Sequence, residues 1–381
     1  MALPAWSAER LADELTRLGT RALRPEAYFD EVSARLRRAV PSQANCWHTL
    51  DPETRLLTSE APGELVRSGV FSAETAPAAG QLVINSEYIV EDANTFAALS
   101  RRRTTVGILS DATRGRPERS ARYRELLAPS GIPYEMRAAF VARGRPWGAV
   151  HMARGVDGPD FGARDARVLA HVTTIIADGI RASLRHDAGR RAASDGPGLV
   201  VLGPADEVEL ITPPARPLLA ALRSATLRET DDAPPTALLA LAAFARAGDR
   251  APMEPVTVPS ALGWISMHAS LPEGAKHGRV AIVLDRAAGP RVAALRLEAH
   301  GVTPREREIA GLLAHGRSNA DIATTLVLSP YTVQDHIKNL FEKTGVSSRR
   351  ELVARIFIED YLPQIAQSAP LTADGTFASR D

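Results

Sequence analysis

The chain is poor in the features that would give its function away cheaply. It has one cysteine, Cys46, so no disulfide can close within it and a cysteine-built metal cluster is excluded. Its 46 basic and 45 acidic residues leave a net charge of +1, which points to no class of partner. No apolar run approaches the ~20 residues that a membrane span requires. The opening segment, Met1 to Trp6, lacks a basic stretch and an apolar core, which predicts a cytoplasmic chain without a signal peptide. There is no Walker-type glycine loop, no HExxH pair and no nucleophile elbow. Nine histidines are scattered without a second ligand at metal spacing. We therefore expect no enzyme, no catalytic residue and no metal site, and the sequence names no cofactor. There is also no internal repeat.

What is present is ordinary globular composition, 45% hydrophobic and 24% charged, over a length that predicts two or three domains. The best-marked stretch runs from Val302 to Ile356 and reads as four short helices. Thr303-Pro304-Arg305-Glu306 is a capping box with proline at the first helical position. Ile309, Leu312 and Leu313 give that helix an apolar face, and Gly316 ends it. Ser318 starts a second helix with Ile322, Ala323 and Leu326 inward. Ser329, followed by Pro330, caps a third, which Gly345 ends, and Ser347 or Ser348 starts a fourth.

In the third helix Val333, Ile337, Leu340 and Phe341 fall at i, i+4, i+7 and i+8, a buried stripe. The opposite face carries Thr332, Gln334, Asp335, Lys338 and Asn339, whose donors and acceptors suit base edges in a major groove. A short helix, a tight turn and a second helix with a polar outer face form a helix-turn-helix. Gln334, Asp335, Lys338 and Asn339 are the expected base contacts.

Residues 302–356, about one seventh of the chain, resemble the C-terminal DNA-binding domain of LuxR-type transcriptional regulators. The resemblance is carried by Thr303, Arg305, Glu306, Arg307, Glu308, Gly316, Ser318, Asn319, Ile322, Ala323, Leu326, Leu328, Ser329, Thr332, Val333, His336, Lys343, Gly345, Val346 and Arg349. By position it implies phosphate contacts at Ser318, Asn319, Thr332, Lys343 and Arg349, with double-stranded DNA as partner. The chain departs from the family at Gln334, where a basic residue is frequent. From His300 to Tyr361 eight basic residues face eight acidic ones, so the domain is no basic footprint. Arg317, Lys338, Lys343, Arg349 and Arg350 nevertheless cluster near helix ends. Asp335 can accept from cytosine N4 but repels phosphate. Weak non-specific affinity and a homodimer are the expectation.

Upstream, residues 20–185 alternate helices and strands. Pro25 to Val40 is predicted helical, with Tyr28, Phe29, Val32, Leu36 and Val40 inward. Ala44 to Thr49 and Leu56 to Thr58 flank the turn Asp51-Pro52-Glu53-Thr54. Tyr134 to Val141 and Trp147 to Ala153 flank Arg143-Gly144-Arg145-Pro146, and a helix runs from Ala163 to Leu184. This order, with Trp147-Gly148-Ala149-Val150 after the turn and Phe161 before the last helix, resembles a GAF domain, which implies an antiparallel sheet and a small-molecule effector. Cys46 reads as a small buried hydrophobe, and Arg101-Arg102-Arg103 as a solvated loop. Residues 197–288 carry a hairpin (Leu199 to Leu202, Val208 to Ile211), helices at Pro214 to Leu222 and Thr236 to Arg246, and strands at Val256 to Val258, Gly263 to Ala269 and Arg279 to Leu284. Two strands, helices and three strands resemble the order of a PAS domain.

The expected fold is therefore multidomain. A helical segment at 1–19 precedes an α+β GAF-like domain at 20–185, a polar linker at 186–196 and an α+β PAS-like domain at 197–288. A connecting helix at 289–301, an all-α four-helix LuxR-type domain at 302–361 and a flexible tail at 362–381 complete it. On Ala163 to Leu184, Leu169, Val172, Ile176 and Ile180 either pack on the GAF-like sheet or seat a dimer partner, with Gly179 interrupting any long coiled coil. The function expected is a one-component transcriptional regulator. The alternative is a non-catalytic module docking on RNA polymerase or another regulator without reading sequence, favoured by the zero net charge and Asp335.

Overall fold

The computed structural model of the chain describes residues 8–21, 23–61, 76–186, 196–223, 234–247, 255–260, 262–272, 278–287, 297–314 and 316–353. The chain divides into two units, Met1–Arg286 and Ala287–Asp381.

In the first unit, α1 (Ala8–Gly19) and α2 (Pro25–Ala39) lead into β1 (Ala44–Leu50) and β2 (Leu57–Ala61). Tyr28, Phe29, Val32 and Leu36 of α2 are buried, as their 3.6-residue spacing demands. Asp51 holds the β1–β2 turn, its Oδ1 accepting from the amides of Glu53 at 3.0 Å and Thr54 at 2.7 Å. Next come α3 (Ala76–Tyr88), short helical turns at Phe96–Leu99 and Leu109–Thr113, and β3 (Val106–Ile108). β4 (Tyr134–Ala142) and β5 (Arg145–Arg154) meet at Arg143 and Gly144, whose φ of 53° and 75° make the tight left-handed pair of a two-residue hairpin. α4 (Ala163–His186) closes this half. The strands pair antiparallel in the order β2-β1-β5-β4-β3.

One face of this sheet is apolar. Trp47 of β1 stacks between Phe29 and Phe140, each ring centroid 5.5 Å away. Across it, Leu169, Val172, Ile176 and Ile180 of α4 are fully buried, packed on β4, α1 and α2. Of the two readings of that stripe, packing within the chain is the one realised: these four side chains are enclosed, while Arg167, His171, Thr174 and Asp178 on the other side of the helix are exposed. Gly179 is the site of the closest approach: a Cβ there would lie 1.9 Å from Tyr28 Oη. The helix at 8–19, expected as a separate segment, lies against α4 and α2 as part of the same layer.

The second sheet comprises β6 (Gly198–Leu202), β7 (Val208–Ile211), β8 (Val256–Ser260), β9 (Gly263–Ser270) and β10 (Val280–Arg286), with α5 (Ala215–Arg223) and α6 (Thr236–Arg246) between β7 and β8. Its order, β7-β6-β10-β9-β8, repeats that of the first sheet.

The expected boundary at 186–196 does not separate two cores. α6 reads Thr-Ala-Leu-Leu-Ala-Leu-Ala-Ala-Phe-Ala-Arg, with no polar face, and a helix apolar all round must be enclosed all round. It packs on β9 and β10 on one side and on β2 and α3 on the other. Thr236 Oγ1 donates to Glu60 Oε2 of β2 at 2.8 Å. One apolar cluster runs from Leu57, Ile84 and Phe96 through Leu239 and Leu241 to Ile282. Most of the linker itself, 187–195, lies outside the described residues.

The second unit holds α7 (Pro304–Ala314), α8 (Asn319–Leu326) and α9 (Pro330–Thr344), and residues 349–353 are helical. Its core is Ile309, Leu313, Ile322, Val333 and Leu340, with Ile337 and Phe341 half-buried at its edge. Burying each such aliphatic side chain contributes roughly 1.5–3 kcal/mol. Of the connecting helix expected at 289–301, only 297–301 is described, and 297–299 of it is helical; the tail at 362–381 lies outside the described residues.

Candidate nucleic-acid interface

The helix ends that position the interface are fixed by side chains. At α7, Glu306 Oε2 accepts from the Thr303 amide at 2.7 Å and Thr303 Oγ1 from the Glu306 amide at 3.3 Å. At α8, Ser318 and Asp321 form a second reciprocal box: Ser318 Oγ accepts from the Asp321 amide at 3.2 Å, and Asp321 Oδ2 from the Ser318 amide at 3.0 Å. At α9, Ser329 Oγ accepts from the Thr332 amide at 3.1 Å. Gly316 and Gly345 take φ of +78° and +67°, which glycine adopts without strain. The turn between α8 and α9 passes through Val327 at φ +54°, and Arg305 Nη2 donates to the Leu326 carbonyl beside it at 2.5 Å.

On α9 the four residues expected at base edges, Gln334, Asp335, Lys338 and Asn339, are all exposed. Val333 and Leu340 on the opposite side are fully buried. A groove of about 690 Å³ runs beside this face, and Asn319, Gln334, Asp335, Ile337, Lys338 and Arg349 are among its lining residues. The fold thus brings Asn319 of α8 and Arg349 together with three of the four expected base readers; Asn339, Ser318, Thr332 and Lys343 are not part of that lining.

Several residues assigned to phosphate are engaged within the domain. Ser318 Oγ donates to Asp321 Oδ2 at 2.7 Å, and the Thr332 and Ser329 hydroxyls share a hydrogen bond of 2.8 Å. Lys343 Nζ bonds both oxygens of Glu306, each at 2.6 Å, where the carboxylate side chain is 3% exposed. Burial pushes the Glu306 carboxyl up, but Lys343 and the Thr303 amide outweigh it and hold it below the ordinary range. Arg349 Nη2 caps the end of α7, donating to the Arg317 carbonyl. Arg317, Lys338 and Arg350 are exposed cations on the same domain.

Residues 300–356 match the family described as GerE: bacterial regulatory proteins, luxR family. The luxR-family domain here is 50% identical over 56 residues to the transcriptional regulatory protein UhpA of Escherichia coli (strain K12), covering 15% of this chain and 29% of that one. The monoamine regulon transcriptional regulator of Klebsiella aerogenes is 46% identical over 57 residues, 15% of this chain and 25% of that one. Such matches span 6% to 29% of the relatives' lengths, one domain of longer proteins. Among solved structures, the crystal structure of the phage VqmA-DPO complex is 18% identical over 46% of this chain and 87% of that one, at a TM-score of 0.18, too low to carry an argument.

A second polar constellation, in the first unit, was not foreseen from the sequence. Opposite the Trp47 stack, β4 turns Glu135 and Arg137 inward, each 1% exposed. Arg122 Nε and Nη2 each donate to Glu135 at 2.8 Å, and His151 Nε2 stands 3.1 Å from the same carboxylate. Arg137 pairs with Glu87 at 2.5 Å, and its guanidinium lies 3.7 Å from the Phe96 ring centre. Burial alone would raise the Glu135 carboxyl; Arg122 and His151 bring it well below the ordinary range. His48, enclosed beside Phe96, is pushed down to about 4 by burial. Alternation along Glu135-Met136-Arg137-Ala138 reads as a half-solvated strand, and only the covering α3 and Phe96 make it a closed ionic layer. Among the described residues no group of three His, Cys, Asp or Glu could hold a metal ion, and no helix is long and apolar enough to cross a membrane.

Proposed function

We propose that this chain is a transcriptional regulator that reads promoter DNA through α9 and is controlled by its N-terminal unit. The observation that carries the reading is the exposed row Gln334, Asp335 and Lys338, backed by a fully buried Val333 and Leu340, on the second helix of a capped helix-turn-helix. Gln334, Asp335, Lys338 and Asn339 face base edges, and Asn319, with the half-exposed hydroxyl of Thr332, faces the backbone. Ser318 acts by fixing the start of α8. Arg317 and Arg350 are the cations we assign to phosphates, because Lys343 and Arg349 are committed to Glu306 and to the end of α7. With charges balanced, the domain binds weakly alone, and a homodimer supplies avidity.

The first unit we read as GAF-like and PAS-like sensory folds. The shared order of both five-stranded sheets supports this, and the GAF-like reading implies a small-molecule effector.

The test is selection of bound duplexes from a random pool by the full-length chain, followed by affinity measurement. Gln334→Ala/Asn339→Ala should relax base preference, each lost bidentate contact costing about 1–3 kcal/mol. Failure to enrich any sequence would favour the competing reading, a domain that docks on RNA polymerase, which the balanced charge and Asp335 support.

A further inference from the structure

Tyr331 stands in the second position of α9 and is 82% exposed, the most exposed aromatic side chain among the described residues. Nothing in the domain's folding explains a tyrosine there. The cap is made by Ser329, and Pro330 supplies the first helical residue. The core-facing positions of the helix are Val333, Ile337 and Leu340. At 100° per residue, Tyr331 falls within about 60° of Gln334, Asp335 and Lys338, and about 160–180° from Val333 and Leu340. It therefore heads the outward row by one turn. In a helix-turn-helix the N-terminal residues of this helix are the ones that reach base edges.

We infer that Tyr331 is a specificity residue whose ring contacts the C5-methyl group of a thymine in the major groove. This rests on the DNA-reading function proposed above and deepens it. The chemistry is narrow. The readers behind Tyr331 in the row are polar or charged, so they address hydrogen-bonding edges. The apolar group displayed in the major groove is the thymine methyl. An aromatic side chain held out in water at the head of such a row gains by covering that methyl, whereas a polar base edge would be left without partners beneath the ring. The phenol oxygen, at the far end of the ring, remains free to meet water or phosphate, so the hydroxyl is not what selects the base.

The experiment uses the full-length chain and a duplex enriched from a random pool. Each thymine is replaced in turn by deoxyuridine, which removes only the C5 methyl, and affinity is measured at one salt concentration. The chain should lose about fourfold at one thymine per half-site, the equivalent of one buried methyl group. Tyr331→Ala should bind the thymine and uracil duplexes equally at that position, and Tyr331→Phe should keep the discrimination. Circular dichroism of the variants should be unchanged, because so exposed a side chain contributes little to the core. If Tyr331→Ala loses the same factor as the unmodified chain at every position, or no thymine responds to replacement, the inference is overturned while the DNA-reading function stands. If no sequence is enriched, the function itself falls, and this inference with it.

Discussion

Lys343 separates a structural from a DNA-contacting role, and the structure sets the size of the effect. Its ammonium bonds both oxygens of Glu306 at 2.6 Å, with the Glu306 side chain 3% and the Lys343 side chain 23% exposed. The pair joins the last turn of α9 to the capping box of α7. Lys343→Met keeps the aliphatic stem and removes the charge. Glu306 then retains the Thr303 amide but loses its one charged donor, which bonds both its oxygens. A charge-assisted hydrogen bond contributes about 1.5–3 kcal/mol, and the partial exposure of the lysine argues for the lower end, about 1–2 kcal/mol after screening. Hydrogen exchange in the full-length chain is the assay, since it reads α7 and α9 without requiring a single unfolding transition. Protection of those amides should fall about 5- to 30-fold. The Glu306 carboxyl lies below its ordinary value of 4.5, so the pair's contribution is present above that value and is lost as pH falls through the folded pKa. The gap between Lys343→Met and the unmodified chain should therefore narrow in acid. A phosphate contact predicts a different outcome: unchanged exchange, with the salt dependence of DNA binding reduced by about one ion. That result would refute the assignment of Lys343 to Glu306.

Two further outcomes follow from local geometry. Val327 holds φ +54° with a β-branched side chain 90% exposed, so Val327→Asn should stabilise the domain by about 1 kcal/mol by relieving left-handed strain at little loss of burial; a lower denaturation midpoint would contradict this. His48 titrates near 4 when folded against an ordinary 6.5. Stability of the first unit is thus complete above about pH 6.5 and declines as pH falls toward 4, by on the order of 3 kcal/mol from this residue. His48→Gln should flatten that part of the pH–stability curve, and an unaltered curve would show that His48 is not the group responsible.

Local chemistry made the C-terminal domain legible. Caps, helix stops and a 3.6-residue stripe are short-range signals, so Thr303, Ser318, Ser329, Gly316 and Gly345 mark the helices without knowledge of anything distant. The exposed row on α9 follows from the same register. Strand pairs around Asp51 and Arg143-Gly144 were legible for the same reason, since turn residues act on their own backbone. Three things required the tertiary structure. Lys343 and Arg349 have the same side chains whether they face phosphate or an intradomain partner, and only the approach of α9 and the following helix to α7 commits them to Glu306 and the Arg317 carbonyl. The stripe on α4 is compatible with a sheet, a helix pair or a second chain, and α1 and α2 claim it first. Glu135 and Arg137 alternate as a solvent-facing strand would, but Arg122, Glu87 and Phe96 arrive from distant segments and close the layer over them. The uniformly apolar α6 lay between these cases: its composition required enclosure on every side, and the fold decided that the first sheet and α3 would supply half of it.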